Sequence, residues 1–347
     1  LRATDPFDHV LLSEHLNLQK KSAWELESCV DWSMGVDTSK FLLPLDDSSV
    51  TFPGASDEQK KALSQLMGLI VNATISEMED CLPLVKHSAW HKVLQRYPVN
   101  PEFIELGEQF FLEEAKHAAA FKKYLGEFCT AMGIDKEDLD LLLPKAFGSH
   151  FQDAIIRNAK SGGQAFWWVV SNVEEVSINI FKGIYRNRSE IDPLYFHLHR
   201  RHLEEESRHA NYAYLMINLM RHHNRGLRGW WHQKTDFTWA QLVAIPWVTT
   251  ELQKFFNVKR LKHKNPWFEV LASCIPLYES MSAKERVKRV FVAAPYVSWI
   301  MNPNHRKLHL NATKSLGSWM IPFPKAEDIP LTTAIFGRDH LEAPHGN

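Results

Sequence analysis

Cysteine is scarce in this chain: four in 347 residues (Cys29, Cys81, Cys129 and Cys274), scattered and with no C-x-x-C pair. That argues against a disulfide framework or a thiolate zinc site, and the expected compartment is a reducing cytoplasm. Neither sign of charge is in excess. The formal net charge is −1, so bulk charge gives no reason to expect nucleic acid or an anionic membrane as partner. No uncharged apolar run approaches the roughly 18 residues of a membrane-spanning helix, and no such span is expected. No basic-then-apolar leader stands at the start. The first residue is Leu, so the native start is expected to lie upstream. Convincing polar/apolar alternation is also missing, which leaves an all-α fold class.

What is present suits one large domain or two closely packed ones: 45% hydrophobic residues, with twelve Trp and twenty Phe. Those aromatics read first as core, and secondarily as the lining of a pocket. Residues 1–56 read as an N-terminal arm with one short helix at 11–21. Ser56-Asp57-Glu58 marks a helix start. That helix is expected to run to about Leu82, where Pro83 ends or kinks it, with more helix to Gln95. Pro101-Glu102 opens a second long helix with Phe103, Leu106, Phe110, Phe111, Ala118 and Phe121 on its inner side. A helix over 144–159 and a break at Ser161-Gly-Gly163 follow. The segment 164–185 is apolar nearly all round, as a buried helix should be. Asp192-Pro193 starts a helix reaching about Arg221, ended by 224–229. Further helices are expected at 239–258, 267–281 and 283–293. The domain reading is an arm (1–56), a helical-bundle core (57–230), additional helices (231–321) and an extended tail (322–347). The basic run 259–264 reads as a solvated helix end.

The chemistry sits in two copies of one short pattern. His202, Glu206 and His209 fall in a stripe roughly 60–80° wide on a helix that turns about 100° per residue. Glu114 and His117 repeat the Glu-x-x-His unit. A single copy is weak evidence, because such pairs are common on solvated helices. Two copies on apolar faces need a partner for their charge. Together with one carboxylate from each of two other helices they make the ligand set of a di-iron or di-manganese site in a helix bundle. Carboxylates neutralise the metals and imidazoles complete the coordination. His199 lies on the same stripe and reads as a residue supporting the ligands rather than as another ligand. For the two lone carboxylates, periodicity slightly favours Glu174 over Glu175 and Glu77 over Glu79, with both choices close to even.

Residues from about 60 to 225 resemble the p-aminobenzoate N-oxygenase family of di-iron enzymes. These are similar to ferritin-like four-helix bundles but carry an extra histidine in a His-x-x-x-Glu-x-x-His helix, matched here by His202, Glu206 and His209. The family's Glu-x-x-His is matched by Glu114 and His117. Its third-helix carboxylate precedes an Ile-Asn pair and stands 27 residues before the extra histidine. Glu175, before Ile178-Asn179, fits both features. Its first-helix carboxylate is matched better by Glu79 than by Glu77. One extra residue between the second and third ligand helices departs from the pattern. The resemblance therefore implies a metal set of Glu79, Glu114, His117, Glu175, His202, Glu206 and His209. It also implies two Fe ions (Mn as the alternative), O2 as co-substrate, and oxygen transfer to a small organic substrate such as an arylamine. Expected partners are that substrate, an electron donor and a second copy in a homodimer. The competing readings are a C–H hydroxylase or desaturase, a ferritin- or manganese-catalase-like protein handling metal or peroxide, and a structural protein that merely keeps the bundle.

Overall fold

Ser56 caps the first long helix reciprocally: its hydroxyl accepts from Gln59 N–H while the Gln59 side chain accepts from Ser56 N–H. In this computed structural model, which describes residues 9–44, 52–145, 147–223, 226–239 and 252–282, the chain is helical almost throughout. In chain order the main helices are α1 (His9–Ser22), α2 (Asp57–Lys86), α3 (Pro101–Met132), α4 (Ser149–Lys160), α5 (Ala165–Arg186), α6 (Pro193–His223), α7 (Leu227–Trp239) and α8 (Pro266–Ser273). Among the described residues there is no strand, only an isolated bridge between Phe41 and Ile191. The all-α expectation holds.

Four of these helices form the bundle. α2 packs on α3, α5 on α6, and α3 on α6, while α1 lies across α3 and α6. Their interior is two apolar clusters with a polar layer between them. On α2 one cluster takes residues up to Ile75 and the other begins at Met78. On α3 the break falls between Phe111 and Ala120, on α5 between Val173 and Ile184, and on α6 between Leu198 and Tyr212. The order of the clusters also gives direction. α2 and α6 run from one cluster to the other, and α3 and α5 run the opposite way. α3 and α5 are therefore parallel, and the connection 133–164, which contains α4, must return the length of the bundle.

Several boundaries differ from the sequence reading. α2 continues through Pro83 to Lys86 and passes into a π-helical turn at His87–His91. Pro83 is exposed, so its ring sits on the outer side of a long helix that burial holds on its other faces. The cost is the hydrogen bond that the Glu79 carbonyl would otherwise receive. α4 starts at Ser149 rather than Pro144. The break assigned to 224–229 is shorter, because α7 begins at Leu227 and includes Gly229. The line drawn between residues 230 and 231 thus falls inside a helix. The helix expected at 267–281 is divided, Pro266–Ser273 and Ile275–Ser280. Residues 240–251 of the expected helix 239–258, the expected helix 283–293 and the tail 322–347 lie outside the described residues.

Candidate metal centre

The polar layer is where the four bundle helices bring their carboxylates and imidazoles together. Glu79 comes from α2, Glu114 and His117 from α3, Glu174 from α5, and His202, Glu206 and His209 from α6. All are at most 2% exposed. Ligand atoms of Glu79, His117, His202 and Glu206 lie within 4.8 Å of one another, as do those of Glu114, His117 and His209, and those of Glu174, Glu206 and His209. His202 Nε2 is 3.1 Å from Glu79 Oε1 and 2.9 Å from Glu206 Oε1. His117 Nδ1 is 3.2 Å from Glu206 Oε1, and His209 Nδ1 is 3.0 Å from Glu114 Oε1. Two helices each give a Glu-x-x-His unit and two give a lone carboxylate, around a single long return connection. The fold is a ferritin-like four-helix bundle.

No family model matches the chain, and no curated protein matches it. Solved structures do. An R2-like ligand-binding oxidase with aerobically reconstituted Mn/Fe cofactor (long soak) aligns at 16% identity over 86% of this chain and 94% of its own, with a TM-score of 0.47. Two mutants of such an oxidase align at 14% identity with TM-scores of 0.46 and 0.48, covering 85% and 86% of this chain and 95% and 94% of theirs.

Whether the layer suits cations is decided by its own atoms. Although imidazole nitrogens approach some of them at 2.9–3.2 Å, both oxygens of Glu114 and of Glu206, one each of Glu79 and Glu174, and Nδ1 of His117 and of His209 are buried without a well-directed hydrogen bond. Buried polar atoms are nearly always paired. So many unpaired acceptors converging on one spot fit a positive charge among them, and the oxygen-plus-imidazole donor set suits iron or manganese.

The outer nitrogens of two histidines are held crosswise. Glu113 on α3 lies 2.8 Å from Nε2 of His209 on α6. Glu205 on α6 lies 2.7 Å from Nε2 of His117 on α3. Each carboxylate fixes the tautomer and direction of an imidazole whose Nδ1 faces the cluster. These carboxylates are themselves tied down. Lys116 Nζ donates to Glu205 Oε1 at 2.8 Å and to the Trp24 carbonyl at 2.9 Å, with the Trp24 ring centroid 4.2 Å away. Trp24 stacks on His117 at 5.7 Å between centroids. Gln19, on α1, donates to Glu113 Oε2 at 2.9 Å. The arm therefore closes one side of the cluster.

Charge states follow from these neighbours. Burial, reinforced by Glu114 and Glu206, raises the Glu79 carboxyl well above its usual range. Burial also raises Glu114. His202 is driven the other way, well below the ordinary imidazole value, by burial and by the facing imidazoles. The two opposite shifts both favour the uncharged form, so the pair is consistent. Burial opposes the upward shift of His117 and of His209, but the carboxylates around them win. For Glu205 burial again opposes, yet hydrogen bonding to His117 and the Lys116 charge hold it at about 2.

The layer contains Glu79, Glu114, His117, His202, Glu206 and His209 of the expected set. The Glu175 backbone lies in α5, but its side chain lies outside the described residues, and Glu174 is the α5 carboxylate in the cluster. Glu77, which periodicity favoured, is half-buried and outside the cluster. α2 is buried all round from Ala62 to Ser76, so its helical wheel carries no contrast there. His199 joins none of the ligand groups. Its Nε2 is 2.9 Å from Asn72 Oδ1, and burial lowers it to about 3. Glu113, Glu205, Lys116, Trp24 and Gln19 are not among the expected site residues. The first two had a signal: both units read Glu-Glu-x-x-His, as Glu113-Glu114-x-x-His117 and Glu205-Glu206-x-x-His209.

Proposed function

We propose that the protein is a di-metal oxidoreductase that turns dioxygen on a small organic substrate, with oxygen transfer to an arylamine nitrogen as the specific reaction. The observation that carries this reading is the buried convergence of carboxylates and three imidazoles, in which carboxylate oxygens and the inner nitrogens of His117 and His209 are left unpaired. Glu79, Glu114, His117, His202, Glu206 and His209 would hold two metal ions, with the fourth carboxylate from the Glu174–Glu175 pair on α5. When bound, two irons supply the electrons and the Lewis acidity that dioxygen chemistry requires.

The chain's own residues do the rest. Glu113 and Glu205 orient His209 and His117. The apolar clusters above and below the layer, which include Phe110, Trp167 and Phe121, keep bulk water away from it. His202 adds a third imidazole beside Glu79 and Glu206, which supports an oxygenase over a storage bundle. The test is metal content per chain, followed by single turnover of the reduced, metal-loaded protein with dioxygen and a panel of arylamines. An oxygenated amine is the expected product. Iron mineralisation or peroxide disproportionation without organic turnover would move the protein to metal or peroxide handling. Sub-stoichiometric metal would remove the di-metal reading altogether.

A further inference from the structure

Outside the metal layer, α7 builds a second polar cluster against the turn between α4 and α5. His232 Nδ1 lies 3.0 Å from Asp236 Oδ1, one helical turn along α7. His232 Nε2 lies 3.1 Å from Ser161 Oγ, at the end of α4. Asp236 is held by two further donors, the Gln164 backbone N–H at 2.7 Å and Asn158 Nδ2 at 2.9 Å. The three side chains are thus linked in the order hydroxyl, imidazole, carboxylate. An acyl-transferring serine needs that order: a nucleophile against a base, and a base oriented by a third group. Anchoring α7 needs the Asp236 bonds alone and does not require a hydroxyl opposite Nε2.

The tautomer follows from the neighbours. A bare Nδ1 would repel the Asp236 carboxylate, so Nδ1 carries the proton and Nε2 of the neutral ring presents its lone pair. Ser161 Oγ faces that lone pair. The hydroxyl has a competing acceptor, the Asn158 carbonyl at 2.7 Å, and rotation about its Cβ–Oγ bond moves the proton between the two. The reacting end is also reachable. The His232 side chain keeps 12% of its surface exposed and that of Asp236 only 4%, while Ser161 is half-buried. The carboxylate is sheltered, and the hydroxyl–imidazole pair is open to a small molecule from solvent. In the first turn of α5 the N–H groups of Gln164 and Ala165 are taken by Asp236 and Asn158, whereas those of Phe166 and Trp167 bond to no described residue. They stand at the helix end that follows the Ser161 turn, where the dipole favours an oxygen that gains negative charge.

We propose that Ser161, His232 and Asp236 form a second site, independent of the metal centre, that hydrolyses small carboxylic esters. Ser161 Oγ bonds to the carbonyl carbon as its proton passes to His232 Nε2. The C–O bond to the alcohol breaks, and the leaving alkoxide takes that proton. Water, deprotonated by the same nitrogen, then releases the acid and restores the serine. The test treats the full chain, with and without a chelator, with a fluorophosphonate and separately with 4-nitrophenyl acetate. The phosphonyl group is expected on Ser161 by peptide mass spectrometry, at the same rate with and without chelator. His232→Gln, which keeps a side-chain amide for Asp236, should slow labelling by about 100-fold. Ser161→Ala, with unchanged circular dichroism, should reduce ester turnover to the background that free imidazole gives. The proposal is overturned by no label on Ser161, by labelling of His232→Gln at the wild-type rate, by ester turnover that Ser161→Ala leaves intact, or by labelling that the chelator abolishes.

Discussion

His202 is the residue that separates a three-imidazole layer from the ordinary two-imidazole bundle. His202→Ala is expected to bring metal content below two per chain and to change substrate oxidation, read by metal analysis beside single turnover. Two metals and unchanged oxidation would leave a generic di-metal bundle and remove the N-oxygenase-like reading. Glu205→Gln keeps the shape but weakens the hold on His117, and metal affinity should fall about 10–100-fold by competition with a chelator. The same variant has an acid signature. Glu205 sits at about 2 in the folded chain against an ordinary 4.5. The stability it lends is therefore full above about pH 5 and is lost as pH falls toward 2. In Glu205→Gln, denaturant midpoints should lose that part of their pH slope. At this scale the residues of the polar layer were legible because Glu-x-x-His repeats at one helical spacing. Glu113 and Glu205 left only the doubled Glu-Glu-x-x-His as a signal, because each stands one residue from a proposed ligand, on a flank that reads as solvated in a charge-rich stretch. Only the crossing of α3 and α6 turns those flanks inward.

Among the helices, the close approach of α3 to its neighbours is concentrated at Gly107. A Cβ there would meet the Trp90 ring at 2.6 Å and the Tyr212 hydroxyl, and Trp90 Nε1 donates to that same hydroxyl at 2.6 Å. Gly107→Ala is expected to destabilise the fold by about 1–3 kcal/mol, seen as a lower denaturant midpoint. Helix existence and type were readable from caps and apolar spacing, as at Ser56, Pro101 and Pro193. Less readable was the facing of helices with no polar side. On α5 periodicity only slightly favoured Glu174, the carboxylate found in the cluster, over the Glu175 that the resemblance implied, and α2 misdirected the choice toward Glu77. The arm's role was also hidden. Gln19 and Trp24 reach the cluster through tertiary contacts to α3, which leave no periodic mark in the sequence.

For the whole molecule, a charged layer between two apolar clusters makes stability depend on what neutralises it. Metal at a hundredfold excess over Kd should stabilise the folded chain by about 2.7 kcal/mol relative to chelator-treated protein, measured by thermal or denaturant unfolding. Because burial raises the Glu79 and Glu114 carboxyls, metal competes with protons for them. Uptake should accordingly strengthen as pH rises and release acid into an unbuffered solution. The crosswise supports carry a further consequence. Glu113 belongs to the helix of His117 but steadies His209, and Glu205 does the reverse. A cation held by either imidazole therefore tightens the helix that aims the other. Loading should be cooperative, with a Hill coefficient above one that Glu113→Gln or Glu205→Gln abolishes, so that half-loaded chains are scarce during titration.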